Sequence, residues 1–139
     1  MATRLMAIVG SPGAGKTTLR EALASEFRRR GLRVALLDPP PDAAGGPAVL
    51  ARTRRLASDS DLVLAEGPAD PGVPRIEVHR RATGTPLYDA AAADADDWVA
   101  LVTDDRALEA RCRVFRIHDT MWLQLLANLV WDRAKMVVG

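Results

Sequence analysis

The stretch that decides the fold of this 139-residue chain is Gly10-Ser11-Pro12-Gly13-Ala14-Gly15-Lys16-Thr17. It fits the pattern G-x-x-x-x-G-K-[ST], which is typical of loops that wrap around phosphate groups. Glycines let consecutive backbone N–H groups turn toward phosphate oxygens, and a helix that begins where the loop ends adds its positive dipole end. A chain of this length and composition matches the pattern by chance roughly once in a thousand cases. The stretch therefore predicts a phosphate-binding loop.

Lys16 and Thr17 are the two side chains of the loop that carry chemistry. Lys16 is one of only two lysines, whereas the chain has 17 arginines. A compact ammonium group fits beside the β- and γ-phosphates of a nucleotide, where a forked guanidinium is too bulky. The Thr17 hydroxyl can take a place on Mg²⁺. We therefore expect Lys16 to act on the phosphates and Thr17 to bind the metal.

The flanking sequence places the loop between a strand and a helix. Residues 5–9 form a short apolar run that is typical of a strand buried on both faces. Residues 16–30 carry apolar side chains at three- and four-residue spacing, which predicts a helix that stops at Gly31. A second buried strand follows at residues 34–37. Together they predict a strand–helix–strand unit with a parallel crossover.

Four further strands are predicted after this unit. Apolar runs indicate buried strands at residues 62–65, 98–102 and 114–117. Polar and apolar residues alternate over residues 75–79, so we expect this strand near a sheet edge with one face in water.

Helices and loops complete the pattern. Helices are predicted over residues 50–57 and from an N-cap at Asp119 or Thr120 to about Lys135, and loops over residues 39–47 and 82–97. Alternating strands and helices predict a single α/β domain over residues 1–139, a three-layer sandwich with a mostly parallel sheet and the P-loop NTPase fold.

Composition excludes several classes of protein. The 19 basic and 18 acidic residues give a net charge of +1, which argues against a nucleic-acid-binding protein. The single Cys112 excludes a disulfide framework, and His79 and His118 are expected at the surface or as caps. No apolar run approaches the ~18 residues of a membrane span. We therefore expect a cytoplasmic protein without membrane contact.

Polar residues that follow the buried strands are candidates for the site, because ligands of such sheets bind outside the carboxyl ends of the strands. Asp38 and Glu66 each follow a strand and could hold Mg²⁺ through water or orient an attacking water, which makes them candidate metal and catalytic residues. Thr103, Asp104 and Asp105 could accept hydrogen bonds from a guanine base. Asp104 as a helix cap is an equally open interpretation.

Four stretches occur in an order that resembles a known family. They are residues 10–18, which add Thr18 to the loop, Asp61-Leu62-Val63-Leu64-Ala65-Glu66-Gly67, Pro74-Arg75-Ile76-Glu77-Val78-His79-Arg80, and Ala100-Leu101-Val102-Thr103-Asp104-Asp105. In this order the chain resembles molybdopterin-guanine dinucleotide biosynthesis protein B, the MobB family of P-loop GTP-binding proteins, as a diverged or shortened member.

The resemblance implies a biological role. Such proteins are homodimers that bind GTP and hydrolyse it weakly, and they assist the guanylyltransferase that joins GMP to molybdopterin. For this chain the resemblance therefore implies GTP and Mg²⁺ as ligands and a molybdopterin guanylyltransferase as a partner.

Two other classes of function are compatible with the same loop. A small-molecule P-loop kinase would place Arg80 and Arg81 in a lid over the phosphates. A non-catalytic nucleotide-binding adaptor would act through its surface.

The C-terminal helix is apolar on nearly every side. A stripe of Trp122, Leu125, Leu126 and Leu129 is expected to cover the sheet. Leu123, Val130 and Trp131 would then face elsewhere, which predicts a self-association or partner surface and supports a homodimer.

Overall fold

The computed structural model describes residues 1–39, 49–67 and 70–139. Within these residues the sheet has seven strands: β1 (Ala2–Val9), β2 (Val34–Leu37), β3 (Leu62–Glu66), β4 (Arg75–His79), β5 (Trp98–Thr103), β6 (Arg113–Arg116) and β7 (Lys135–Val138). The helices are α1 (Lys16–Arg29), α2 (Val49–Arg54) and α3 (Trp122–Arg133). Two short 3₁₀ turns, Arg81–Thr83 and Ala95–Asp97, lie in the long connection between β4 and β5.

The sheet is mostly parallel, as predicted. Six strands run parallel in the order β2-β3-β1-β4-β5-β6, and β7 pairs antiparallel with the first half of β1. β1 lies between β3 and β4, with Ile8 beside Glu66 and Val9 beside Glu77. Because these strands are parallel, the carboxyl ends of β1, β3, β4 and β5 lie along the same side of the sheet.

Most predicted elements are confirmed, with shifted ends. α1 stops as predicted, since Gly31 adopts a left-handed φ of +89° that favours glycine. The predicted helix at residues 50–57 is the shorter α2, and the last parallel strand lies one residue earlier than predicted. The predicted loop over residues 39–47 lies outside the described residues, apart from Pro39.

The core occupies both faces of the sheet. α1 and α3 cover one face, where Met6, Ile8 and Leu64 meet Leu23 and Phe27 of α1. On the other face a smaller cluster packs against α2, and the long segment 80–97 takes the place of a helix over β4 and β5. This arrangement gives three layers, one of which is partly irregular.

The prediction that residues 75–79 lie near a sheet edge is wrong. β4 is an interior strand between β1 and β5, and all five of its residues are buried. Its polar side chains bind segment 80–97 rather than water. Arg75 forms ion pairs with Asp94 and Asp97, at 3.3 and 3.5 Å. Glu77 accepts hydrogen bonds from two backbone N–H groups, at 2.7 and 2.9 Å.

The predicted start and end of the C-terminal helix are also wrong. α3 begins after Met121, whose φ is +63°, and no side chain caps its N-terminus, so Asp119 and Thr120 do not serve as N-caps. The helix ends at Arg133, and Lys135 opens the unpredicted strand β7. Four residues are too few for alternation to separate this strand from the end of a helix.

The buried face of α3 differs from the predicted stripe. Leu126, Ala127 and Val130 are fully buried, whereas Leu125 is 50% exposed. Trp131 packs against Phe27, with 6.3 Å between the ring centroids, and the guanidinium of Arg4 lies 3.7 Å from the Trp131 ring centre. Most of the apolar surface that suggested self-association is therefore covered within the chain.

None of the helices in residues 1–39, 49–67 and 70–139 has the length and apolar character needed to span a membrane.

Neighbouring leucines on α3 test this packing. Leu126→Ala is expected to lower the free energy of unfolding by about 2–5 kcal/mol, because it removes a fully buried side chain. Leu125→Ala is expected to change it by less than about 0.5 kcal/mol. Urea denaturation followed by circular dichroism measures both. A larger loss for Leu125→Ala would restore the predicted stripe.

Glu77 makes stability depend on pH. Burial raises the pKa of its carboxyl above the ordinary value of 4.5, although hydrogen bonds from Leu87 and Tyr88 act in the opposite direction. The native state then holds a proton that the unfolded chain has already released, so this contribution to stability is lost as the pH rises above about 4.5. The free energy of unfolding of Glu77→Gln is therefore expected to rise relative to that of the parent between about pH 4 and pH 7.

The control for this experiment is Asp61→Asn. Hydrogen bonds from Arg33 lower the pKa of Asp61, so its stabilising contribution is present above 3.8 and is lost as the pH falls further. Chemical denaturation across the pH range should give opposite slopes for the two variants. Parallel slopes would contradict the assigned environment of Glu77.

Candidate functional site

The loop at residues 10–17 joins the end of β1 to the start of α1. Gly10 has no room for a side chain, since a Cβ there would lie 2.6 Å from the carbonyl oxygen of Val78. Gly15 has a φ of +98° and directly precedes α1, so the loop curls into the N-terminus of the helix. Lys16 Nζ donates a hydrogen bond to the carbonyl oxygen of Gly10 at 2.9 Å. The backbone N–H groups and the ammonium group of the loop are therefore arranged around one small space.

Thr17 and Glu66 are brought together, as the sequence predicts. The Thr17 hydroxyl lies 3.0 and 2.9 Å from the two carboxylate oxygens of Glu66 and donates to that group. Hydroxyl and carboxylate oxygens are the hard ligands that Mg²⁺ prefers, and this ion usually keeps several waters and phosphate oxygens as its other ligands. Thr17 and Glu66 therefore fit a magnesium ion that arrives with a nucleotide.

Asp38 reaches this group only through an arginine. Arg20 Nη1 donates to Asp38 and to the carbonyl oxygen of Leu37, both at 2.9 Å, and Arg20 Nη2 lies 3.6 Å from Glu66. Arg20 is 7% exposed, whereas the side chain of Asp38 is 81% exposed. Asp38 therefore orients Arg20, and Arg20 in turn holds Glu66 beside Thr17.

Sequence reasoning missed Arg20. The signal was its place one helical turn beyond Lys16, on the same side of α1 as the loop. In a chain with 17 arginines, that signal does not separate a buried arginine from one on a solvated helix face.

Thr103 is the last residue of β5, and Asp104 and Asp105 follow it, two strands from the loop. Asp104 accepts a hydrogen bond from the backbone N–H of Arg81 at 2.8 Å, and this bond lowers the pKa of its carboxyl. Asp105 accepts one from the N–H of Ala107 at 3.0 Å. Asp104 does not cap a helix, since β6 follows after an irregular stretch. Each of these carboxylates therefore keeps one oxygen outside the hydrogen bonds described here.

The side chain of Thr103 is bound to His79. The two side chains lie 2.7 Å apart at Thr103 Oγ1 and His79 Nδ1, and His79 Nε2 lies 2.7 Å from the carbonyl oxygen of Gly84. Because the carbonyl oxygen of Gly84 can only accept, Nε2 of His79 carries a proton and donates to it, and Nδ1 of the neutral ring accepts from the Thr103 hydroxyl. His79 is buried, not at the surface as predicted, and it joins the ends of β4 and β5.

A cavity of about 190 Å³ opens on the α1 and α3 side of the loop. It is mostly apolar and is lined by Thr18, Leu19, Ala22, Val78, Arg80, Val102, Ile117 and Trp122. Thr18 lies directly after the loop, so this cavity continues the phosphate site toward the end of β5. The Trp122 ring in its lining offers a flat apolar surface on which a nucleotide base could stack.

A second cavity, of about 360 Å³, opens on the opposite side of the loop. Lys16, Gly10 and Gly67 border it at the loop. Leu87 and Trp98 line it farther away, under segment 80–97. A molecule in this cavity would lie next to the group that Lys16 binds.

A third cavity, of about 310 Å³, lies near the amino ends of β5 and β6, on the side of the sheet away from the loop. Cys112 lines it, and burial raises the pKa of the Cys112 thiol. A thiol with a raised pKa is a poor nucleophile, so we assign Cys112 no catalytic role.

A glycine-rich loop between a central parallel strand and a helix, with Lys16 and Thr17 at the helix start, defines a P-loop NTPase fold. A family model described as "Methylmalonyl Co-A mutase-associated GTPase MeaB" matches residues 2–69, which contain the loop, Asp38 and Glu66. No curated protein matches the chain significantly.

Solved structures support the same fold. A MobB protein homolog from Bacillus stearothermophilus is 21% identical, covers 93% of this chain and 99% of its own, and has a TM-score of 0.63. Bacillus subtilis MobB is 18% identical over 95% of this chain and 98% of its own, with a TM-score of 0.63. A structure named molybdopterin-guanine biosynthesis protein B is 22% identical over 92% and 97%, with a TM-score of 0.55. The chain therefore has a P-loop GTPase-like fold.

The two lysines provide a matched test of the loop. Lys16→Ala is expected to reduce binding of a nucleoside triphosphate by at least about a hundredfold, because it removes a charged hydrogen-bond donor from the phosphates. Lys135→Ala changes an exposed lysine of β7 and is expected to bind like the parent. Titration calorimetry measures affinity, and thermal unfolding checks that both variants fold. Equal affinity of Lys16→Ala and the parent would refute the assignment of the loop.

Proposed function

We propose that this protein is a GTP-binding protein with slow, Mg²⁺-dependent GTPase activity that assists molybdenum cofactor biosynthesis. The observation that carries the nucleotide part is the contact between Thr17 and Glu66 beside Lys16, at the N-terminus of α1. The likeness of residues 2–69 to a GTPase model supports GTP as the nucleotide. The likeness in fold to proteins named MobB supports the biosynthetic role.

The loop binds the phosphates in this proposal. The backbone N–H groups of Gly15, Lys16 and Thr17 at the positive end of α1 would donate to phosphate oxygens, whereas that of Ala14 donates to the carbonyl oxygen of Ser11. Lys16 exchanges its hydrogen bond to Gly10 for one to the terminal phosphates. When bound, Mg²⁺ would be held by Thr17 and Glu66 and would offset the negative charge of the phosphates.

Glu66 is the proposed catalytic carboxylate. It lies at the end of β3 next to Thr17, where it can orient a water toward the terminal phosphate. The oxygen of that water forms the new bond to the terminal phosphorus while the bond from phosphorus to the oxygen of the leaving nucleoside diphosphate breaks, and the proton of the water passes to a phosphate oxygen. Arg20 and Thr17 already contact the oxygens of this carboxylate, so it is only partly available to orient a water, and we expect turnover well below about 1 s⁻¹.

The proposed base specificity depends on Asp104 and Asp105. A guanine presents an N1–H and a 2-amino group to a carboxylate, whereas adenine presents no such pair of donors. Thr103 is bound to His79, so of the three predicted residues the two aspartates are the ones we assign to base recognition.

The biosynthetic part includes a partner and a location. We propose that the protein supports a molybdopterin guanylyltransferase and works as a homodimer in the cytoplasm. Leu125 and Met121, which are exposed at the start of α3, are the apolar side chains of that helix available for such contacts.

A small-molecule kinase is the second candidate. The cavity of about 360 Å³ beside Lys16 favours it, since a molecule there would lie next to a terminal phosphate. Transfer of labelled γ-phosphate from a nucleotide to a compound from a cell extract would support the kinase. Release of inorganic phosphate alone would support the GTPase.

The test of the main proposal is nucleotide preference. Titration calorimetry with GTP, GDP and ATP in the presence of Mg²⁺ is expected to show GTP bound at least about tenfold more tightly than ATP. Asp104→Asn is expected to reduce this preference, because it replaces an acceptor by a mixed donor and acceptor. The control is Asp132→Asn, which changes an exposed aspartate near the end of α3.

Equal affinities of the parent for GTP and ATP would contradict the proposed base specificity. Binding without any hydrolysis would favour a nucleotide-binding adaptor.

A further inference from the structure

We infer that Arg80 is a phosphate-binding residue that contacts the nucleotide on the side of the α-phosphate, opposite the side served by Lys16. This inference rests on the proposed nucleotide binding and adds a residue that lies outside the loop motif. Four observations carry it: the position of Arg80, its lack of a partner, the charges around it, and the cavity that it lines.

Arg80 directly follows β4 and lies against the phosphate loop. A Cβ atom placed on Gly15 would lie 3.2 Å from Arg80 Nη2. Gly15 directly precedes the first residue of α1, so the guanidinium lies at the N-terminus of this 14-residue helix.

One nitrogen of this guanidinium lacks a partner. Arg80 Nη1 is buried and has no hydrogen-bond partner, a state that it shares only with Arg20 Nε among the described residues. Arg80 also takes part in none of the ion pairs within 4.0 Å in residues 1–39, 49–67 and 70–139. Asp104 is near enough for the positive charge of Arg80 to lower its pKa, but the two do not pair. A buried charged donor without an acceptor costs free energy, so we expect this nitrogen to donate a hydrogen bond to an oxygen of a ligand.

The surrounding charges indicate an anionic ligand. Arg80 and Lys16 both lie at the end of α1 that carries the positive end of the helix dipole. Two cations at this end repel each other and the dipole, and Glu66, the carboxylate at this end, contacts Thr17 and Arg20 instead. A nucleotide phosphate chain has the required charge, and guanidinium groups bind its oxygens with two parallel hydrogen bonds.

The positions of the two cavities indicate which phosphate of the nucleotide Arg80 binds. Arg80 lines the cavity of about 190 Å³ together with Thr18 and Trp122, on the α1 and α3 side. Lys16 lines the cavity on the opposite side of the loop, together with Gly67. If Lys16 binds the terminal phosphates, Arg80 is placed toward the nucleoside and the phosphate that bears it.

The test compares GTP with GDP. Arg80→Ala is expected to weaken both nucleotides by the same factor, roughly ten- to a hundredfold, because both carry the α-phosphate. The ratio of the two affinities should stay at the value of the parent. Lys16→Ala should instead change this ratio, because its loss weakens GTP more than GDP. A loss of folded protein in Arg80→Ala would also weaken both nucleotides equally, so the thermal unfolding and rescue measurements below separate that cause from the loss of a phosphate contact.

Further variants show how much of the nucleotide affinity depends on the positive charge of Arg80 and how much on the shape of its guanidinium group. Arg80→Lys is expected to recover part of the affinity, and millimolar guanidinium chloride is expected to restore part of the binding to Arg80→Ala. The matched control is Arg106→Ala, an exposed arginine after β5, which should bind like the parent. Thermal unfolding checks that each variant is folded.

Two results would overturn the inference. One is unchanged affinity of Arg80→Ala for both nucleotides, and the other is a loss confined to GTP, which would place Arg80 at the terminal phosphate. If the parent binds neither GTP nor ATP, the proposed function fails. Inorganic pyrophosphate, which needs no base pocket, then decides the case of Arg80: binding that depends on Arg80 supports its role, and absent or independent binding refutes it.

Discussion

The parallel pairing of β1 with β3 and β4 is the constraint on which the rest of the structure depends. It sets Ile8 beside Glu66 and Val9 beside Glu77 and so brings three strand ends to the N-terminus of α1. Thr17 can reach Glu66 only because β3 is the direct neighbour of β1. Arg80 can approach Gly15 because β4 is the neighbour on the other side. The loop thus receives a carboxylate from one flank and a guanidinium from the other.

Three buried polar side chains near the loop and the central strands have different structural roles. Arg20 joins Asp38 to Glu66, and the pair stays oriented because the arginine is buried while the aspartate reaches solvent. On the other face, Glu77 and Arg75 replace the apolar contacts that a covering helix would make. Buried polar and ionic groups are costly unless they are paired or hydrogen-bonded, and each of these three side chains has such partners, although Arg20 Nε has none. Arg80 Nη1 is the other buried side-chain nitrogen without a partner among the described residues.

Much of this fold could be predicted from the sequence, because apolar runs and the loop motif are local signals. The motif located Lys16 and Thr17, and the strand ending at Glu66 placed that carboxylate near them. The interior position of β4 could not be predicted, since alternation cannot show whether water or a distant segment meets the polar side chains. The buried face of α3 was missed because a helix that is apolar all round contains several possible stripes. The burial of Arg20 and of one guanidinium nitrogen of Arg80 was not recognised, because burial depends on contacts far apart in the sequence.

Segment 80–97 has a further consequence for access to the site. Leu87 forms part of the wall of the cavity beside Lys16, and the backbone N–H groups of Leu87 and Tyr88 are held by one carboxylate, that of Glu77. Opening this stretch breaks few contacts and leaves every strand pair intact, so it costs far less free energy than global unfolding. Backbone amides of this stretch should then exchange with solvent faster than those of β4 beneath it. One wall of this cavity is therefore made by a segment without strands or long helices, next to a buried interior strand.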